Sequence, residues 1–249
     1  MSVHVRPLRL DGFEQLPKHA RRCVFWEVDP ETLGSAPGLK EPSQLLDPEF
    51  EKEAWLSMVM LEWGSCGQVA VAGSAEAAAD IEDQPGVGYV LYAPPRLVPR
   101  AQRMPTGPVS PDAVLLTSMA AEAGHGTDPS DISEMLIGHV VTELVRRGVR
   151  ALEVFGRTPE ASELADLVGD VLRPRVEPGF WPAIEALGDC SFETCMIDAH
   201  FLQSVGFTVV APHQYFPRLR LELDRGLGWK AEVEAALDRL LETPQLQRL

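Results

Sequence analysis

Three groups of residues in this chain have types and spacings that could do chemistry. The first is Asp128-Pro129-Ser130-Asp131-Ile132-Ser133, at the head of a helix-period pattern. A helix start presents backbone N–H groups with no intrahelical partner, and left bare these suit a phosphate. Here Asp128 stands where an N-cap belongs and Pro129 at the first helical position. Asp131 lies three residues after the cap, where it can reach back to the cap amide. Those carboxylates would occupy the amides a phosphate needs. The second group is Cys190, Cys195 and His200, a C-x4-C-x4-H spacing. It lacks the two-residue spacing of zinc knuckles and has no second His or Cys pair nearby, so no metal is assigned and buried thiols are expected. The third is Phe25-Trp26-Glu27, followed by a run of acids from Asp29 to Glu53. Aromatic faces beside carboxylates can hold a cationic amine, although large aromatics also serve packing.

The elements that must position these groups follow from hydrophobic period. Val3–Leu10 alternates loosely and reads as an edge strand, since Pro7 is tolerated only at an edge or bulge. A helix is expected from about Phe13, with Leu16, Ala20, Cys23 and Val24 on one stripe. A second helix runs from about Phe50 to Trp63 with Trp55, Met58, Val59 and Glu62 on one face, closed by Gly64. Gln68–Ala72 and Val87–Ala93 read as a strand pair, the second covered on both faces, and Ala113–Met119 as the next strand. The pattern Ile132, Leu136, Val140, Leu144 predicts a helix over about Pro129–Arg147, ending at Gly148, before a strand at Ala151–Phe155. A strand, helix, strand unit with short loops implies parallel strands joined by a right-handed crossover. Residues 157–194 look like an insertion. A short helix (Asp198–Val205), strands Phe207–Ala211 and Phe216–Leu223, and an amphipathic tail from Trp229 to Leu241 complete the chain.

The 249 residues, 45% of them hydrophobic, can bury a full core. Thirty-seven acids against 22 bases give a formal charge of −15, which disfavours nucleic acid and anionic membrane as partners and fits a cationic substrate or basic partner. No apolar run reaches the roughly 20 residues of a membrane span, and a cytoplasmic location with reduced thiols is the expectation.

The segments VHVRPLRL, GYVLYAPP, LLTSM…MLIGHVVTELVRRGVRALEVFG and HFLQSVGF, in this order of elements, resemble the Gcn5-related N-acetyltransferase (GNAT) superfamily over about residues 3 to 223. The resemblance implies an α/β (α+β) fold: a mixed, strongly twisted central sheet flanked by helices. It forms a single domain over 1–225, with the 157–194 insertion between strand 5 and the following helix, and a C-terminal helix over 226–249. It implies transfer of an acetyl group from acetyl-CoA to an amine, here a cationic small molecule or peptide. The alternative is a degenerate relative that binds a ligand, a protein partner or a second copy of itself.

By the same resemblance, the cofactor would lie along Met119 and Ala121 at the end of the fourth strand and on Ser130, Asp131, Ile132 and Ser133 at the helix start. The family's Gln/Arg-x-x-Gly-x-Gly/Ala pattern has neither of its glycines here. No Lys or Arg occurs between Arg103 and Arg146, while Glu122, Asp128, Asp131 and Glu134 gather there; Arg96, Arg146 or Arg150 could reach a phosphate from elsewhere. Transfer needs a base and an acid. Glu122 is the candidate base. Leu202 stands where many relatives carry a tyrosine acid, leaving Cys195, His200 and Tyr215 as substitutes. The acceptor side, built from the first two helices, would use Phe25, Trp26 and Glu27.

Overall fold

The computed structural model describes residues 3–28, 47–73, 86–122, 127–161 and 195–223. Most of the insertion and the C-terminal helix expected from the sequence lie outside these residues. The described elements, in chain order, are β1 (Val3–Pro7), a 3-10 helix (Leu10–Gln15), α1 (Lys18–Arg22), α2 (Pro48–Trp63), β2 (Gly67–Ala72) and β3 (Gly86–Ala93). Two 3-10 turns (Pro95–Leu97, Pro99–Arg103) lead to β4 (Ala113–Ala121), α3 (Pro129–Arg146) and β5 (Ala151–Arg157). Then come β6 (Ile197–Asp198), α4 (Ala199–Ser204), β7 (Thr208–Ala211) and β8 (Arg218–Glu222).

The strands form one mixed sheet in the order β1-β2-β3-β4-β5-β8-β7, with β6 attached to β5. Among the described residues this sheet is open, with distinct edge strands, and β1 with its Pro7 is one of those edges. All pairs are antiparallel except β4–β5 and β5–β6. One core packs between the sheet and the 3-10 helix, α1 and α2; a second packs between the other face and α3 with α4. β3 shows why its sequence looked apolar throughout: Tyr89, Leu91 and Ala93 enter the first core, Val90 and Tyr92 the second.

Two helices differ from expectation. The single helix from Phe13 is instead a 3-10 turn and a five-residue helix, because Pro17 interrupts it as the N-cap of α1. The buried face of α2 is Lys52, Trp55, Leu56 and Val59, while Met58 is 43% exposed and Glu62 lies outside it. Lys52 turns inward because its ammonium pairs with the buried carboxylate of Glu27.

α3 follows its sequence pattern closely. Ile132, Leu136, Ile137, Val140 and Leu144 are buried, and its first turn rests on Gly88 of β3. A Cβ at Gly88 would stand 2.9 Å from Ile132 Cγ2 and 3.2 Å from the Ala120 carbonyl oxygen. Gly88→Ala is therefore expected to cost about 1–3 kcal/mol in denaturant unfolding, by forcing α3 off the sheet.

On β5, Glu153 is fully buried and receives Arg218, Arg220 and the Ser110 N–H. Burial alone would push its carboxyl up. The hydrogen bonds from Ser110, then those from Arg218 and Arg220, outweigh that and hold it below the ordinary 4.5. A depressed carboxyl contributes stability above its unfolded pKa and loses it as pH falls through the folded value. Glu153→Gln should therefore lower stability by about 2 kcal/mol at neutral pH, and the gap from wild type should narrow as the solution is acidified below about pH 4. Denaturant melts across that range measure it.

Candidate functional site

The site begins where β4 and β5 part. Their parallel pairing covers Ala113–Leu116 against Ala151–Val154 and stops there. β4 continues to Ala121 paired only with β3, through a register shift at Leu91/Tyr92, so among the described residues the far edge of Thr117–Ala121 has no strand beside it. β5 continues beside β8 and β6. The Gly156 and Thr158 N–H groups donate to Pro217 and Tyr215, on the β8 side. The β6 bonds of Gly156–Arg157 must then use the opposite edge, the one facing β4, because alternate residues address alternate neighbours. The wedge between the strands is thus bounded by β4 on one side and β6 on the other. An unpaired strand edge is a row of donors and acceptors ready for an extended ligand with amides of its own.

The open end of this wedge lies next to the N-terminal helices. Glu122, exposed just past β4, donates its N–H to the Val87 carbonyl at 2.8 Å. Gly86, one residue before, backs onto Gln15, whose carbonyl oxygen would lie 2.6 Å from a Cβ there. Gln15 ends the 3-10 helix that walls a cleft of about 480 Å³, lined by Leu10, Asp11, Phe13, Glu14, Arg21, Asp47, Glu49, Phe50 and Glu53. Five carboxylates face one guanidinium. Asp11 pairs with Arg9, Glu49 with Arg21 at 2.8 Å, and Asp47 caps α2 through the Glu49 and Phe50 amides. Glu14 and Glu53 have no ion pair among the described residues, so the cleft keeps a negative balance beside the exposed Phe50 ring.

The expected cofactor residues divide between two sides of one corner. Met119 and Ala121 point toward α3 and are half-buried against the second core. At the helix start, the Asp128 carboxylate accepts from the Ser130 N–H at 2.8 Å, as a cap should. Asp131 is exposed and makes no reciprocal bond to the cap amide, unlike the arrangement expected. Ser130 is exposed and Ser133 half-buried, whereas Ile132 is a core residue at 1% exposure. The arginines considered as phosphate ligands are partly engaged: Arg146 pairs with Glu143 and Arg96 with Glu62.

The remaining expected site residues are dispersed. His200 is exposed on α4, with its N–H donating to the Asp198 carboxylate; Leu202 is fully buried in the second core. Tyr215 lies beside His213 at 5.9 Å between ring centroids. Phe25 and Trp26 are each 1% exposed in the first core, Phe25 edge-on to Trp26 and Trp26 stacked on Phe155, and Glu27 is buried on Lys52. None of these three lines the cleft, whose acids come from the elements before and after them.

Cys195 precedes β6 and α4 in the chain. It is 1% exposed just ahead of β6, where the Trp26 indole N–H donates to its carbonyl at 3.0 Å. Its Sγ lies 3.3 Å from Cys23 Sγ and 3.8 Å from His19 Nε2. Sequence spacing missed this gathering. His19 and Cys23 do sit four apart on one helix face, but their partner is 172 residues from Cys23. Tyr89 of β3 faces the same layer. Burial pushes its phenol well above the ordinary range, Cys23 adds to this, and the Ser118 hydroxyl of β4 works against it.

No protein-family model matches the sequence, and no curated protein matches it. Solved structures that the chain matches include an N-acetyltransferase from Staphylococcus aureus Mu50 (10% identity, 90% of this chain and 100% of that chain covered, TM-score 0.45). A Desulfovibrio desulfuricans protein assigned to the GNAT acetyltransferases matches at 14% identity, with 90% and 100% coverage and TM-score 0.40. A Salmonella typhimurium protein described as an acetyltransferase, solved with acetyl-CoA, matches at 12% identity, with 90% and 95% coverage and TM-score 0.42.

Proposed function

We propose that this chain is a GNAT-type N-acyltransferase that moves an acetyl group from acetyl-CoA to a cationic amine. The observation that carries the reading is the convergence, at one end of the sheet, of an acidic cleft and a strand edge that has no strand beside it among the described residues. The amide-bearing arm of acetyl-CoA pairs along Thr117–Ala121, with its pyrophosphate toward the start of α3. The amine enters from the cleft, where Glu14 and Glu53 attract its charge and Phe50 covers its apolar part. The amine nitrogen, once neutral, attacks the thioester carbon; a C–N bond forms, the C–S bond breaks, and CoA leaves as a thiol after taking the proton that the nitrogen sheds on becoming an amide. Glu122, exposed at the open end of β4, receives the proton of the ammonium, directly or through water.

The test is release of free CoA thiol on mixing the full chain with acetyl-CoA and a panel of amines. Dicationic amines should turn over and neutral ones of equal size should lag. Glu14→Gln with Glu53→Gln should raise KM for the cation about tenfold with little change in kcat, the signature of lost ground-state attraction. Glu122→Gln should lower kcat and leave acetyl-CoA affinity in place. Thiol release that ignores the amine, or none with any amine, would overturn the reading. A binding module that has kept the fold without the reaction would show the second result.

A further inference from the structure

The proposed transfer reaction makes no use of the gathering of His19, Cys23 and Cys195. We propose that these three residues form a binding site for a thiophilic divalent metal ion of the zinc class. Their ligand atoms all lie within 4.8 Å of one another. Zinc–sulfur bonds of about 2.3 Å and zinc–nitrogen bonds of about 2.0–2.1 Å in a tetrahedron place two sulfurs about 3.8 Å apart and sulfur about 3.6 Å from nitrogen. The observed 3.3 Å and 3.8 Å sit close enough for small side-chain rotations to complete the geometry. The donor set is right in kind: two thiolates and one imidazole are soft ligands, poorly suited to magnesium or calcium and well suited to zinc. Two thiolates also neutralise a divalent ion, which lets it reside in a buried layer.

The protein holds these ligands from two sides. Cys23 closes the last turn of α1, its N–H donating to the His19 carbonyl at 2.7 Å, which sets the two ligands on one face. The Trp26 indole fixes the backbone of Cys195 from behind. Outer partners of this kind orient ligands and raise affinity. Both cysteines are buried while His19 is half-buried, so the histidine side is the way in. Three protein ligands leave one tetrahedral position for water. The ion would tie α1, which borders the acidic cleft, to the segment entering β6, which borders the wedge. Cys66 offers an internal control: it is buried apart from the cluster, and burial pushes its thiol up to about 12.

The full chain, reduced and freed of metal with a chelator, should be titrated with Co2+ and then with Zn2+ in competition with a chromophoric chelator. One equivalent of Co2+ should give tetrahedral d–d bands and a thiolate charge-transfer band that Zn2+ abolishes. Because loss of an outer partner alone weakens metal sites by about 10–100-fold, Cys23→Ser, Cys195→Ser and His19→Ala should each weaken binding by at least a hundredfold. Cys66→Ser should bind like wild type. Should a ligand variant fail to fold, the wild-type cobalt spectrum still decides. An octahedral spectrum, uptake below one equivalent, or unchanged affinity in folded ligand variants overturns the proposal. So does a reduced protein that takes up no metal and, in air, loses two hydrogens to a Cys23–Cys195 disulfide.

Discussion

Lys52→Met should destabilise the fold by about 3–5 kcal/mol, and adding Glu27→Gln to the same chain should return most of that loss. Both side chains are essentially sealed from solvent, at 2% and 1% exposure, and their charged ends meet. Glu27 also accepts the Trp26 N–H at 3.1 Å, and the Lys52 ammonium lies 5.9 Å from the Trp55 ring centre. Desolvation is the largest influence on Glu27 and pushes its carboxyl above the ordinary 4.5, against the pull of Lys52. Removing Lys52 leaves that desolvation without its compensation. A raised carboxyl contributes stability fully below the unfolded pKa and loses it as pH rises through the folded value. The Lys52→Met chain should therefore weaken steadily above about pH 4.3, while the double variant should not share that slope. Urea melts at several pH values distinguish this from simple loss of the lysine's packing, which would leave both variants equally weak at every pH.

Asp131→Asn should tighten acetyl-CoA binding by roughly tenfold to a hundredfold. Asp131 is exposed in the first turn of α3 and holds no cap bond, so its removal costs the helix little beyond its interaction with the dipole, a few tenths of a kcal/mol. A carboxylate about 5 Å from a phosphate repels it by roughly 3 kcal/mol at an effective dielectric near 20, and solvent at this exposed site reduces that toward the lower end of the range. Asp128→Asn differs, because Asp128 caps the helix and asparagine caps nearly as well; its gain should be smaller and free of a stability loss. Titrations at low and high salt give a further check, since the Asp131 effect should shrink as ionic strength rises.

The sequence revealed most where one physical signal dominated. Ile132, Leu136, Val140 and Leu144 fix α3 because a 3.6-residue period over five turns has few other readings. β3 was legible from its unbroken apolar run, and β1 as an edge from Pro7. The first helix was misread because the stripe Leu16, Ala20, Cys23, Val24 outweighed Pro17, the residue that divides it. The α2 face was misread because Lys52 is buried through Glu27, a pairing across 25 residues that no local pattern contains. The same limit hid β6, two residues long, and the meeting of Cys195 with His19 and Cys23. Asp128 was rightly read as the cap of α3, while the acidic cleft is lined by Asp11, Glu14, Asp47, Glu49 and Glu53, and Phe25, Trp26 and Glu27 are buried. Residue type announced carboxylates and aromatics; only the packing of the 3-10 helix against α2 decides which of them face a cleft.

The wedge beside β4 is proposed to receive acetyl-CoA despite the acidic start of α3. Isothermal titration of the full chain with acetyl-CoA tests it most directly, because it needs neither the acceptor nor the base. Saturable one-to-one heat, strengthened in Asp131→Asn, is the predicted result. No heat and no thermal shift at millimolar acetyl-CoA, in wild type and variant alike, would contradict it.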